Sequence, residues 1–374
     1  MSSSFIRLRY RLHYIVVGLL LIITVLSLSA CGTLRWYSQA INGHLHILGQ
    51  RKPIHRLLDD PDINNALKQR LQSVLDIRDF ASVELHLPDN NSYREYADIG
   101  RDAPVWNVVA SQTLSLQAHQ WCYPLVGCLS YRGWYDKTNA QEEARELAAQ
   151  NYDVLVSPSV AYSTLGWFDD PLLNTMLRYN DDQLAELIFH ELAHQKVFIK
   201  GSTSFNEAFA ETVANAGVTR WLSIQNDPTV LQDWRARRAV RQQINGLILK
   251  TRESLQRHYK STIDEEERLI GKQQLILKLR KKYLDLLHAE TQGSSRYQAL
   301  HAWREWFAQP LNNANFVLFS VYQQGVGQFE KLLECVDNNL PDFYTAVEEM
   351  GEWDAKKRQQ WLTATDNHLT HCDD

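Results

Sequence analysis

Proline and glycine are scarce in this sequence, 10 and 16 of 374 residues, both below the ~5 % and ~7 % of ordinary proteins. That scarcity excludes collagen-like, proline-rich and low-complexity chains. Cysteine is sparse too, five in all, too few for a fold built mainly on disulfides. Basic residues hold no excess: 39 Lys and Arg face 44 Asp and Glu, a net charge of −5. A surface without positive surplus does not suit nucleic acid. No internal repeat is present. What the chain does have is aromatic residues, 11 Trp, 16 Tyr and 12 Phe, and a length that can bury a substantial core and allows about two domains.

The first thirty residues read as a signal rather than as part of the fold. "MSSSFIRLRYRLHY" carries Arg7, Arg9 and Arg11 without an acid, and the apolar run "IVVGLLLIITVLSL" follows. Basic then apolar is the order of a bacterial export signal. The run ends in "LSAC", with small residues before Cys31, which resembles the lipobox at which a signal peptide is cut once lipid is attached to the cysteine. The competing reading is a transmembrane anchor. We take residues 1–30 as a lipoprotein signal and residues 31–374 as the mature chain, lipid-anchored through Cys31. Gly32, not Asp, follows the cysteine, so the expected place is the periplasmic face of the outer membrane. Removing the three arginines leaves 36 basic against 44 acidic residues, or −8. Four cysteines remain, Cys122, Cys128, Cys335 and Cys372, and four allow three connectivities. Proximity favours Cys122–Cys128, leaving Cys335–Cys372.

Along the mature chain, residues 32–90 read as short amphipathic helices. Residues 91–135 change character: "YREYADI", "PVWNVVAS", "LSLQAHQW" and "LVGCLSYRGWY" are short and rich in aromatic and β-branched residues, as a small mixed sheet requires. "AQEEARELAAQN" is a helix and "YDVLVSPSVAYS" a further strand or two. From "DPLLNTML" onwards the pattern is helical throughout. Residues 228–292 are charge-dense, with a narrow apolar stripe that includes Leu231, Trp234, Ile244 and Leu255. They read as a long helical hairpin turning near "KSTIDEE", either braced on the core or extended to bind an envelope partner.

Chemistry concentrates in "LIFHELAHQKVFIKGSTSFNEAFAE". His190, Glu191 and His194 form His-Glu-x-x-His. On a helix, residues four apart lie about 40° apart around the axis, so both imidazoles project to one side. Their nitrogens can meet one tetrahedral zinc at ~2.0–2.1 Å. Glu191 can then reach the attacking water without ligating the metal, as a general base must. Asn180 with Gln183 makes a capping box for this helix, and Gly201 suits its end. A catalytic zinc needs a third protein ligand, and no third histidine follows at short spacing. Glu207 and Glu211 stand four apart on the next helix instead. Glu207 also has a plain alternative, a capping box with Ser204.

"NEAFAE" is similar to the Asn-Glu-x-x-x-Asp/Glu segment of thermolysin-like and aminopeptidase N-like gluzincins. There the first acid ligates zinc and the second supports a ligating histidine. The resemblance implies Glu207 as ligand and Glu211 as the partner of His190, although His194 and Glu207 stand closer in sequence than their counterparts do in those families. Over nearly its whole mature length, through "VAYSTLGWFDDPLLNTML", "LIFHELAHQ" and "FNEAFAET", the chain resembles the zinc aminopeptidases of bacterial lipoprotein type.

Three further regions are candidates for finishing the site. Val156 to Phe168 precedes the metal helix and is placed to pair with an extended substrate. Asp169 and Asp170 are candidates for binding a free substrate amine, with an N-cap before Pro171 as the competing role. Tyr322 is the candidate donor to the developing oxyanion, with a core tyrosine as its alternative. No Gly-x-Met-Glu-Asn amine anchor is present. The expectation is an α+β, zincin-like, mostly helical metallopeptidase with one Zn²⁺, a peptide substrate and a lipid tether. The rival is a catalytically quiet assembly factor with a structural metal, which would not need Glu191.

Overall fold

The computed structural model describes residues 32–124, 127–164, 166–225, 227–323 and 325–364. The expected signal, Cys31 and Cys372 lie outside the described residues, as does the side chain of Tyr322. The protein is α+β and mostly helical. Helix α1 (residues 32–49) leads into strand β1 (Lys52–Pro53), α2 (Ile54–Asp59), α3 (Asn65–Val83) and β2 (Glu95–Ala97). Strands β3 (Trp106–Gln112), β4 (Trp121–Tyr123), β5 (Gly127–Leu129) and β6 (Arg132–Trp134) follow, then α4 (Lys137–Ala149), β7 (Tyr152–Pro158) and β8 (Leu172–Leu173). A 3-10 turn (Met176–Arg178) opens the helical half: α5 (Asp181–Lys196), α6 (Thr203–Ser223), α7 (Pro228–Tyr259) and α8 (Glu265–Ala289). It closes with α9 (Ser295–His301), α10 (Arg304–Ala308), α11 (Asn313–Gln323), α12 (Val326–Cys335), α13 (Leu340–Gly351) and α14 (Ala355–Thr363).

The single mixed sheet expected from the sequence is three small sheets. An antiparallel sheet has the order β6-β3-β7, a second has the order β1-β2-β8 with β2 and β8 parallel, and β4 and β5 form a hairpin. "LSLQAHQ" is not a strand; it touches the sheet only through a bridge from Ala118 to Ser111. "DPLLNTML" begins with β8 and the 3-10 turn rather than a helix, because Leu172 and Leu173 pair with Tyr96 and Ala97. Strand β3 has lost strict alternation for a physical reason. Val108 and Ala110 pack against Leu147 of α4, while Val109 packs against Ala314 and Val317 of α11. A strand covered on both faces reads as a continuous apolar run.

The hairpin is α7 and α8, and its turn falls at the expected place. Asp227 caps α7 with Pro228 in its first turn, and Asp264 caps α8 by accepting from Glu267 N at 2.8 Å. It is a packed element rather than a free arm. Ile244, Ile248, Leu279 and Tyr283 build a second core with Leu300, Phe307 and Phe316. Lys272 of α8 pairs with Asp153 of β7, joining the hairpin to the sheet. The main core lies between α3, α5, α6 and α12–α14, filled by Phe189, Phe205, Phe209, Phe329 and Phe343. Cys122 and Cys128 are bonded across the β4–β5 pair. Cys335 is also half of a disulfide, and the partner expected for it falls outside the described residues. Among the described residues, no helix is long and apolar enough to cross a membrane.

Candidate metal centre

Helix α5 carries His190, Glu191 and His194 and is held at its N-terminus from two sides. Arg70 of α3 pairs with Asp181, and Arg237 of α7 pairs with buried Asp182. Both aspartates lie in the first turn, where carboxylates also favour the helix dipole. Asn180 occupies the N-cap position, yet its side chain makes no capping bond, so the expected capping box is absent. The helix ends at Lys196 and Val197 turns extended. Gly201 lies in the following loop at φ 77°, a conformation that favours glycine.

Helix α6 packs along α5 at close range. A Cβ on Gly217 would meet Phe189 Cδ2 at 2.7 Å, and Ala208 and Ala210 are fully buried. Because α6 begins at Thr203 with no side-chain cap, Glu207 is not part of a capping box and its carboxylate faces α5. A residue that the sequence reading missed sets this approach. Asn206 is buried, accepts from Ile199 N at 2.9 Å and donates back to Ile199 O at 2.9 Å. It thereby fixes the α5–α6 loop beside Glu207. The signal was visible as the Asn of "NEAFAE".

His190 Nε2 and His194 Nε2 lie 3.2 Å apart. Glu207 Oε2 is 3.2 Å from His190 Nε2, and Oε1 is 3.7 Å from His194 Nε2. A tetrahedral ion with ~2.0–2.1 Å bonds to nitrogen and oxygen keeps its ligand atoms ~3.3–3.4 Å apart, so the three separations suit one centre. Glu207 Oε2 is buried without a hydrogen-bond partner, a costly state that a cation relieves. Two neutral imidazoles and a carboxylate are also the donor chemistry of a zinc site with an open position. The residues fit the metal.

The electrostatics point the same way. Burial opposes charging His190, but Glu207, Glu191 and Glu211 outweigh it and raise its pKa to about 9. Burial likewise opposes ionising Glu207, and the two histidines reverse that and hold it at about 2. The centre therefore stabilises positive charge. Behind it, Glu211 Oε2 stands 4.0 Å from His190 Nδ1, the ring nitrogen turned away from the donor cluster. Arg241 of α7 donates to Glu186 Oε2 at 3.0 Å and to Glu211 Oε1 at 3.3 Å. Burial works against its charge, but the two carboxylates raise its pKa above the usual value. The hairpin is thus tied to the metal centre through one guanidinium. Arg241→Met should cost about 2–3 kcal/mol in urea unfolding, because two partly buried carboxylates lose their partner. That is below the ~3–5 kcal/mol of a fully buried pair, since the Arg241 side chain is 29 % exposed.

The cleft at the centre has two lobes that share Asn107, Ser159, Ala161, His190 and Glu191 in their walls. The first, about 490 Å³, is lined on its far side by Gln183, Glu186, Glu211 and Arg241. The second, about 510 Å³, is aromatic, with Trp36, Tyr131, Tyr135, Tyr162 and Phe198. The chain leaving β7, from Ser157 to Ser163, runs over both lobes, within the expected Val156–Phe168 segment. Tyr131, between β5 and β6, is a second residue missed from sequence. Burial raises its phenol, and Glu207 and Glu191 raise it further, so its hydroxyl stays protonated within their field.

The structure puts Asp169 and Asp170 elsewhere. Asp170 is 1 % exposed and accepts from Thr164 N at 3.0 Å, Thr164 Oγ1 at 2.8 Å and Ser163 Oγ at 3.4 Å. Burial outweighs those bonds and lifts its carboxyl to about 6. Asp169 accepts from Asn91 Nδ2 at 3.4 Å. Neither lines either lobe, and neither caps a helix, because Pro171 leads into β8. Their charges are engaged in loop structure, which corrects both roles considered for them. Residues 35–362 match the family model described as "Putative aminopeptidase", and the chain belongs to that family. No curated protein and no solved structure matches the chain.

Proposed function

We propose that the protein is a zinc-dependent aminopeptidase of gluzincin type with a zincin-like fold, held at the bacterial envelope by lipid on Cys31. The observation that carries the reading is the cluster of His190, His194 and Glu207, with ligand atoms all within 4.8 Å of one another, beside Glu191 at the junction of two lobes. Family membership supports peptide as the substrate class. Zinc held by those three residues would supply Lewis acidity, acidifying water and polarising a carbonyl.

The chain's own residues do the remaining work. The backbone from Ser157 to Ser163 lies across both lobes, where it can align an extended peptide by strand-like pairing. Glu191 faces both lobes, so it can accept a proton from the attacking water and hand it to the departing amide nitrogen. Arg241 and Glu211 keep the His190 ring oriented. Tyr131 lines the aromatic lobe with Glu191 and Glu207 and its protonated phenol stands in their field, so we assign it to donate to the carbonyl oxygen as negative charge develops. The side chain of Tyr322, the other candidate, lies outside the described residues. Tyr131→Phe is expected to lower kcat by ~10²–10³-fold with KM little changed. Steady-state kinetics decide it, and a loss confined to KM would remove the role.

The reaction class is tested with paired peptides, one with a free N-terminus and one acetylated, each with and without a chelator. The free peptide should lose one residue from its N-terminus, the acetylated one should resist, and the chelator should stop cleavage. Internal cuts in the acetylated peptide would make the enzyme an endopeptidase.

A further inference from the structure

Helix α1 has two faces of opposite character. Its inner face is fixed: Ile47 is fully buried, Trp36 stacks on Tyr123 at 3.9 Å, and Trp36 Nε1 donates to Gly133 O at 3.1 Å. Its outer face carries Leu34, Ile41 and Leu45, which are 70 %, 58 % and 58 % exposed. At about 100° per residue these three fall within ~40° of one another, opposite the buried side. Three aliphatic side chains aligned in open solvent are not what a surface helix needs for folding.

A second exposed element adjoins them. Trp167 is 84 % and Phe168 52 % exposed, the most exposed Trp–Phe pair among the described residues. Their loop is not slack: Thr164 Oγ1 donates to Asp170 Oδ1 at 2.8 Å and accepts from Phe168 N at 3.1 Å. The Phe168 ring lies 4.8 Å from that of His44 on α1, so the loop extends the outer face sideways. A buried carboxylate thus holds two aromatic residues outward.

We propose that the outer face of α1, with Trp167 and Phe168, is a membrane-contact surface that seats on the boundary between lipid headgroups and acyl chains. The occupant follows from connectivity. The proposed lipid tether is on Cys31, and Leu34 stands three positions beyond it. Three residues reach at most roughly 10 Å, so a chain anchored there brings the first turn of α1 to the lipid. Lying flat, the helix immerses Leu34, Ile41 and Leu45 together, and a Trp beside them suits the interface. Trp36 and Ala40 of the same helix line the aromatic lobe, so the surface holds that lobe beside the membrane. The proposal rests on the membrane tether proposed above and not on the peptidase chemistry.

The test uses the mature chain lipidated at Cys31, reconstituted in phosphatidylethanolamine–phosphatidylglycerol vesicles that contain a photo-crosslinking phospholipid, with adducts mapped by mass spectrometry. Adducts are expected on the outer face of α1 and on the Trp167 loop as well as at Cys31. In the triple variant Ile41→Glu, Leu45→Glu, Trp167→Glu the first two should fall about tenfold while the third persists. Adducts confined to Cys31 would overturn the surface and leave the tether standing. Their absence everywhere would overturn both. Chain-to-chain crosslinks through Ile41 or Leu45 would assign the face to a second copy and overturn the lipid assignment.

Discussion

Glu191→Gln should lower kcat by ~10²–10⁴-fold while the purified protein keeps its metal. The substitution preserves size and hydrogen-bonding shape and removes only the ability to take a proton. Glu191 is not among the three clustered donors, which are His190, His194 and Glu207, so metal content should stay near that of the parent. It faces both lobes of the cleft, the position from which one carboxylate can serve first the water and then the leaving nitrogen. Single-turnover kinetics with parallel elemental analysis separate the two effects. A Gln variant with full activity would rule out Glu191 as the base, and one that loses its metal would show that the residue serves the site's structure.

Glu207→Ala and Glu211→Ala should part company on metal content. Glu207 places Oε2 and Oε1 at 3.2 Å and 3.7 Å from the facing histidine nitrogens, so its loss leaves a two-histidine site that holds zinc weakly. Glu211 stands instead at 4.0 Å from His190 Nδ1, behind the ring. Its loss should leave zinc detectable, with affinity down ~10–100-fold. Equilibrium dialysis of the two variants settles the order. If Glu211→Ala is the one that empties the centre, the ligand assignment is reversed.

Some of this was legible in the chain because it is local. A four-residue spacing puts His190 beside His194, and again Glu207 beside Glu211, wherever a helix forms. The hairpin's turn was readable at "KSTIDEE", and the caps found there and at its start, Asp264 and Asp227, each act within a single turn. A separation of only six residues made Cys122–Cys128 readable too. Asp169 and Asp170 misled because charge in a sequence carries no record of its partners. Only the folded loop shows that Thr164 and Ser163 occupy Asp170.

By itself the sequence determined the helical character, the residue types of the candidate metal site and the faces they share, since these depend on periodicity within a single element. The tertiary structure alone decided what surrounds them. Arg241 reaches Glu186 and Glu211 from 55 and 30 positions away, and Tyr131 enters the same cleft from a loop between two short strands. No local pattern encodes those meetings. They arise when α7 docks beside α5 and the small sheet closes over it, because burial of separate apolar faces, rather than spacing along the chain, sets which distant side chains share a cavity.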